Sequence, residues 1–177
     1  MKKIIVLAGS NSKNSINKQL ATYTAGLLTK EAELKILDLN DYLMPIYSVD
    51  EESEKGVPET AKKLIETIHT SDGIILSLAE HNGNFTAAFK NVYDWMSRIQ
   101  QKLWNDIPML LMATSPGGRG GASVLGIAKT GFPYMGGNII SSFSLPSFGQ
   151  NFIENKIVNQ ELKSELEVVV KQFEEVI

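Results

Sequence analysis

The sequence predicts an α/β domain in which a doubly wound, five-stranded parallel sheet in the order 2-1-3-4-5 carries helices on both faces. Five short apolar runs rich in branched side chains alternate with segments of helical periodicity. Continuous apolar runs of this length are typical of parallel strands that are buried on both faces. Polar loops follow the first, third and fourth runs, and ligands bind parallel sheets beyond the carboxyl ends of the strands.

The elements follow one another as strand and helix, which requires a right-handed crossover in each unit. We expect a single domain over residues 1–177. Asp50–Lys55 is interpreted as a solvated charged loop, and Ser147–Asn159 as an irregular tail that reaches a partner subunit. The predicted strands are Ile4–Ala8, Leu34–Leu39, Gly73–Leu78, Met109–Thr114 and Asn138–Leu145. The predicted helices are Asn17–Lys30, Glu59–Thr70, Thr86–Leu103, Ser123–Thr130 and Glu161–Val176.

Composition narrows the functional classes. The net charge is −3 and the basic residues are scattered, which favours neither nucleic acid nor a membrane surface as partner. The chain contains no cysteine, which excludes disulfides, thiolate metal sites and cysteine nucleophiles, and its two histidines indicate no metal site. The apolar run at the N-terminus is too short for a signal peptide, and no segment has the length of a membrane span, so we expect a cytoplasmic protein.

The first polar loop, Gly9–Asn17, presents the hydroxyls of Ser10, Ser12 and Ser15 where a helix begins. Unpaired N–H groups and the positive end of the helix dipole favour a phosphate at such a place. The loop has neither the dinucleotide-binding glycine pattern nor the P-loop pattern. The alternative is that Ser15 only caps the helix and the other residues form a solvated turn.

The second and third polar loops are suited to main-chain contacts with a ligand. Asn82-Gly83 predicts a tight turn with positive φ, and His81 is either a proton donor, a stacking partner or an ordinary surface histidine. His69 is interpreted as structural. The segment Ser115–Gly121 has four glycines, which let the backbone approach a ligand closely, although a flexible connection is the alternative.

Other chemistries lack the residues they need. No G-x-S-x-G motif is present, and the carboxylates lie mostly on helix faces rather than as an acid/base pair. A phosphate-bearing cofactor that brings its own reactivity is therefore favoured, and no catalytic residue is assigned.

Four segments, taken together and in order, resemble the NADPH-dependent FMN reductase family. They are Gly9–Asn17, Ala79–Gly83, Phe89–Trp95 and Ser115–Gly121. The resemblance implies a flavodoxin-like fold, bound FMN, NADPH or NADH as electron donor, and a flavin, quinone, azo compound or similar small molecule as acceptor. It also implies a homodimer or homotetramer.

The resemblance further implies which residues bind the cofactor. The first loop holds the FMN phosphate, the second lies along the edge of the isoalloxazine ring, and the third contacts its other rim. Relative to the family pattern, Ser12 replaces an arginine, Ala79 a proline and His81 a tyrosine. The predicted cofactor-binding residues are Ser10, Ser12, Ser15, Ile16, Asn17, Ala79, Glu80, His81, Asn82, Gly83, Ser115, Gly117 and Gly118.

A second interpretation is a flavodoxin-like electron carrier, or a flavin-binding module without turnover of a nicotinamide nucleotide. The spacing of Ser10, Ser12 and Ser15 matches the hydroxyls of the flavodoxin phosphate loop. The second loop, Glu80–Gly83, and a surface less acidic than carriers usually show favour the reductase.

Overall fold

A computed structural model describes residues 1–177 as a five-stranded, all-parallel sheet with helices packed on both faces. The sheet strands are β1 (Lys2–Gly9), β2 (Ala32–Leu37), β3 (Gly73–Leu78), β6 (Pro108–Thr114) and β7 (Asn138–Leu145). The sheet order is β2-β1-β3-β6-β7, which is the predicted 2-1-3-4-5 order when the sheet strands alone are counted. Two small hairpins pair β4 (Glu80–His81) with β5 (Asn84–Phe85) and β8 (Phe152–Ile153) with β9 (Lys156–Ile157).

Seven α-helices and two short 3₁₀ helices complete the chain. The α-helices are α1 (Ile16–Ala25), α2 (Val49–Lys55), α3 (Glu59–His69), α4 (Ala87–Ile99), α5 (Ala122–Gly131), α6 (Phe148–Asn151) and α7 (Gln160–Val176). The 3₁₀ helices are Leu39–Asp41 and Phe132–Met135. None of these helices is both long enough and apolar enough to cross a bilayer.

The core forms one layer on each face of the sheet. Side chains alternate along a strand, so Ile5 and Leu7 of β1 pack in one layer while Ile4 and Val6 pack in the other. The first layer is covered by α3, α4 and α5, and the second by α1 and α7. The predicted coverage of both faces is confirmed.

The edge strand β2 departs from the prediction that every strand is buried on both faces. Leu34 is 42% exposed and Ile36 is 47% exposed. β2 has β1 as its single neighbour in the sheet, so its side chains are less completely covered than those of the central strands. A pattern of apolar residues does not by itself distinguish an edge strand from a central one.

Four further segments differ from the sequence-based expectations, and the first of them is helix α1, which ends at Ala25 rather than Lys30. Asp50–Lys55 belongs to helix α2, which Ser48 caps by accepting a hydrogen bond from the Glu51 N–H at 3.0 Å. The fourth helix ends at Ile99 rather than Leu103. The predicted irregular tail instead folds into α6 and the β8–β9 hairpin, because burial of Phe148 and Phe152 in the core holds this segment against its own chain.

Candidate functional site

The three polar loops meet in one cleft of about 260 Å³ at the carboxyl edge of the sheet. They come together because β1, β3 and β6 are adjacent and parallel, so the loops that follow them lie side by side. The cleft contains no lysine or arginine among its lining residues. These residues are Ser10, Ser12, Asn14, Ser15, Ile16, Asn17, Ala79, Glu80, His81, Thr114, Ser115 and Pro116.

The first wall of the cleft is the loop that leads into α1. Ser15 is the N-cap of this helix, and its Oγ accepts a hydrogen bond from the Lys18 N–H at 3.2 Å. The capping role considered for Ser15 is therefore confirmed, and Ser15 also lines the cleft. The N–H groups of Ile16 and Asn17 have no hydrogen-bond acceptor within the chain, as expected in a first helical turn. This wall can therefore bind an anion through N–H groups and hydroxyls, but not through a cationic side chain.

An ion pair braces the outer side of the same loop. The Lys18 ammonium lies 2.5 Å from the Asp38 carboxylate. This hydrogen bond, followed by one from the Asn40 N–H, lowers the pKa of Asp38. Asn40 also donates to the carbonyl oxygen of Asn11 at 3.1 Å. Asp38 thus ties the end of β2 to α1 and to the first loop, which sequence reasoning did not foresee.

The second wall is the β4–β5 hairpin. Asn82 has φ 52° and Gly83 has φ 75°, and they form the two-residue connection between the paired residues His81 and Asn84. Two consecutive positive φ values define a type I′ turn, so the predicted tight turn is confirmed. Ala79, Glu80 and His81 line the cleft, whereas Asn82 and Gly83 form the tip of the hairpin and do not.

Glu80 connects the second loop to the third. Its Oε2 accepts a hydrogen bond from the Val124 N–H at 2.9 Å, in the first turn of α5. The N-cap of α5 is Gly121, which has no side chain to cap the helix. The Glu80 carboxylate therefore supplies the missing cap and interacts favourably with the helix dipole.

The third wall, Ser115–Gly121, is a folded loop rather than a slack connection. The carbonyl oxygen of Gly117 accepts hydrogen bonds from the N–H groups of Gly120 at 3.2 Å and Ser147 at 2.9 Å. Ser115 lines the cleft, whereas Gly117 and Gly118 do not. Arg119 is exposed and donates to Ser123 Oγ at 3.0 Å.

Sequence reasoning missed three lining residues, Asn14, Thr114 and Pro116. Each is directly next to a predicted residue in the sequence, so the loop pattern indicates the right segments although it does not single out these residues. His69, interpreted as structural, places its Nε2 3.0 Å from the Leu103 carbonyl oxygen, away from the cleft. No cluster of metal-ligating side chains is present in the chain.

Comparison with known proteins assigns the family. Residues 2–150 match the model of the NADPH-dependent FMN reductase family, and the chain belongs to it. A 2-hydroxy-1,4-benzoquinone reductase from Burkholderia sp. is 34% identical over 121 residues, which cover 68% of this chain and 64% of that protein. This chain therefore spans less than two thirds of that relative. A quinone reductase from Escherichia coli K12 is 27% identical over 88% of this chain and 80% of that protein.

Solved structures confirm the flavodoxin-like fold. The flavoenzyme NAD(P)H:(acceptor) oxidoreductase FerB from Paracoccus denitrificans superimposes with a TM-score of 0.78 at 24% identity, covering 99% of this chain and 97% of that chain. An azoreductase from Bacillus anthracis gives a TM-score of 0.67 at 14% identity, covering 99% and 100%. The family and fold predicted from the four sequence segments are both confirmed.

Proposed function

We propose that this protein is an NAD(P)H-dependent oxidoreductase that uses FMN to pass electrons from a nicotinamide nucleotide to a quinone, flavin, azo compound or similar acceptor. The observation that carries the proposal is the cleft formed by three loops around the start of α1. Membership of the FMN reductase family supports the cofactor, and the quinone reductases among its relatives support the class of acceptor.

The first loop fits the phosphate of FMN. The hydroxyls of Ser10, Ser12 and Ser15 and the unpaired N–H groups of Ile16 and Asn17 are the donors available to it. No acidic residue occupies the first turn of α1, so the helix dipole acts there without an opposing carboxylate. The phosphate charge is thus matched by oriented N–H groups, which compensates for the absence of an arginine at position 12.

The other two walls fit the ring system. When bound, FMN supplies the chemistry of accepting a hydride and delivering electrons. Ala79–Gly83 would border one edge of the ring, and Ser115, Gly117 and Gly118 the other. Fixed N–H groups in these loops would stabilise negative charge that develops on the ring. Glu80 orients the second wall through its hydrogen bond to Val124, and no side chain is required as a general acid or base.

The test is anaerobic reduction of the FMN-loaded protein by NADPH and by NADH, followed through the visible absorbance of the flavin. We expect bleaching by one or both nucleotides, and the ratio of the two rates gives the donor preference. FMN alone, at the same concentration and without protein, is the control. Retention of colour with both nucleotides would overturn the enzyme assignment.

The second candidate is a flavin-binding electron carrier, which the spacing of Ser10, Ser12 and Ser15 favours. A carrier binds FMN but does not oxidise NADPH or NADH, and it exchanges electrons with a protein or a chemical reductant. Reduction by dithionite without reduction by either nucleotide would select this candidate over the first.

The proposal also includes a single domain, a homodimer or homotetramer, and a cytoplasmic location where the nicotinamide donor is available. Both core layers pack on the same sheet, which supports one domain.

Three apolar side chains are largely exposed: Leu43 (74%), Ile46 (85%) and Val49 (68%). Such exposure supports association with another copy of the chain. Sedimentation equilibrium tests the assembly, and a monomer across micromolar concentrations would contradict it.

A further inference from the structure

Asn17 is a buried polar residue whose side chain is almost fully engaged within the chain. Its Oδ1 accepts hydrogen bonds from Ser77 Oγ at 2.7 Å and from the Thr114 N–H at 3.0 Å. Its Nδ2 donates to the Thr114 carbonyl oxygen at 3.1 Å. The amide therefore pairs with both main-chain groups of Thr114, as a residue of a neighbouring strand would.

The position of Thr114 explains why this pairing is needed. The ladder between β3 and β6 ends at Leu78 and Ala113, so Thr114 has no strand partner on the β3 side. On its other side it pairs with Leu145 of β7. Thr114 is 1% exposed, and unpaired main-chain groups at such a site would destabilise the end of β6. Asn17 satisfies these groups from the first turn of α1.

We infer that Asn17 is a positioning residue, which ties the start of α1 to the ends of β3 and β6, and that its side chain is not a ligand of the FMN phosphate. The inference rests on the proposed function, since it concerns the cleft in which FMN would bind. Both acceptor sites of Oδ1 and one hydrogen of Nδ2 are already used. The tie holds the first loop at a set distance from the third loop, so the two walls are arranged before the ligand enters.

A double-mutant cycle of Asn17→Ala and Ser77→Ala tests the tie. Ser77 is fully buried and does not line the cleft, so it affects the phosphate only through Asn17. We expect Asn17→Ala to weaken FMN binding about tenfold and Ser77→Ala about threefold, from the loss of buried hydrogen bonds. In the Asn17→Ala background, Ser77→Ala should cause no further loss. FMN dissociation constants are measured by quenching of flavin fluorescence.

Thr24→Val is the matched control. Thr24 is also buried on α1 and also contacts β6, through its Oγ1 and the Sδ of Met112 at 3.4 Å, but it does not line the cleft. This variant should leave FMN affinity unchanged. If Asn17→Ala weakens FMN binding but leaves hydrogen exchange of the Thr114 amide unchanged, Asn17 is a direct ligand and the inference is overturned. It is also overturned if neither substitution changes FMN affinity.

A measurement without flavin separates this inference from the proposed function. Hydrogen exchange of the Thr114 amide, followed by NMR, should accelerate about tenfold or more in Asn17→Ala and stay unchanged in Thr24→Val. Unchanged exchange in Asn17→Ala would refute the tie. Failure of the wild-type protein to bind FMN would instead refute the proposed function, and the exchange rates would still decide whether Asn17 holds β6.

Discussion

Gly120→Ala should destabilise the fold strongly, because the third loop has no room for a methyl group at this position. Gly120 has φ +56°, and an added Cβ would lie 2.5 Å from Ser144 Oγ and 2.9 Å from the main-chain carbon and oxygen of Leu145. Ser144 can rotate its hydroxyl away, but the Leu145 main chain lies in β7 and cannot yield as easily. The glycine therefore lets the loop pack against β7 rather than against a ligand.

The expected magnitude follows from two costs. A left-handed φ costs a residue with a side chain about 1–2 kcal/mol. Forcing a methyl group into a filled space costs about 1–3 kcal/mol more. Gly120→Ala should therefore lower the free energy of unfolding by about 2–5 kcal/mol, which in a chain of this size lowers the melting temperature by at least about 4 °C.

Gly118→Ala is the control in the same loop. The nearest atom to an added Cβ at Gly118 is Ser147 Oγ, at 4.0 Å, and Gly118 does not have a positive φ. This substitution should change stability by no more than about 1 kcal/mol, and it can stabilise by restricting the unfolded chain. Urea denaturation of both variants, without flavin, gives the comparison. Equal midpoints for the two variants would refute the account of the third loop.

Three further predictions each concern a single residue. Glu80→Ala should lower the free energy of unfolding by about 1–2 kcal/mol, because it removes the cap of α5. Glu80→Gln keeps a hydrogen-bond acceptor and should lower it by less. Equal urea midpoints for wild type and Glu80→Ala would contradict the capping role of Glu80. Burial raises the pKa of Glu174, but hydrogen bonds from the Lys30 and Thr29 N–H groups outweigh it and lower that pKa overall. The resulting stability is present above the pKa of a glutamate in the unfolded chain and is lost as the pH falls through the lower pKa of Glu174 in the folded protein. The urea midpoint of Glu174→Gln should therefore fall less steeply at acid pH than that of the wild type. An equally steep fall in both proteins would contradict the stabilising role of the Glu174 carboxylate. Gly83→Val should destabilise the hairpin by about 1–2 kcal/mol because of its positive φ, and an unaltered melting temperature would disprove the type I′ turn.

The sheet was predictable because its signal is local. The three central strands, β1, β3 and β6, each consist mainly of consecutive apolar residues. Burial on both faces of the sheet produces that pattern. Helix α2 was missed because Val49–Lys55 has no buried residue and hence no apolar periodicity. Helix α2 is instead stabilised by polar interactions of its own residues, which include the Ser48 N-cap and the ion pair between Lys55 and Glu51 at 2.9 Å.

The cleft was predictable as a set of loops but not as a set of contacts. The positive-φ turn at Asn82-Gly83 follows from two adjacent residues, so the sequence contains it. The hydrogen bond from Val124 to Glu80 joins residues 44 positions apart, and Asn17 meets Thr114 across 97 positions. Such pairs depend on how strands lie next to one another, and a single sequence does not record that arrangement. For this reason the sequence predicts Glu80 and Asn17 as cofactor-binding residues but does not predict the hydrogen bonds that their side chains make within the protein.

The most direct test of the central claim is a crystal structure of the protein with FMN. The account predicts the phosphate at the start of α1, within hydrogen-bond distance of the Ile16 and Asn17 N–H groups, and the ring between the β4–β5 hairpin and Ser115. Density for FMN elsewhere, or an empty cleft at saturating FMN, would contradict it.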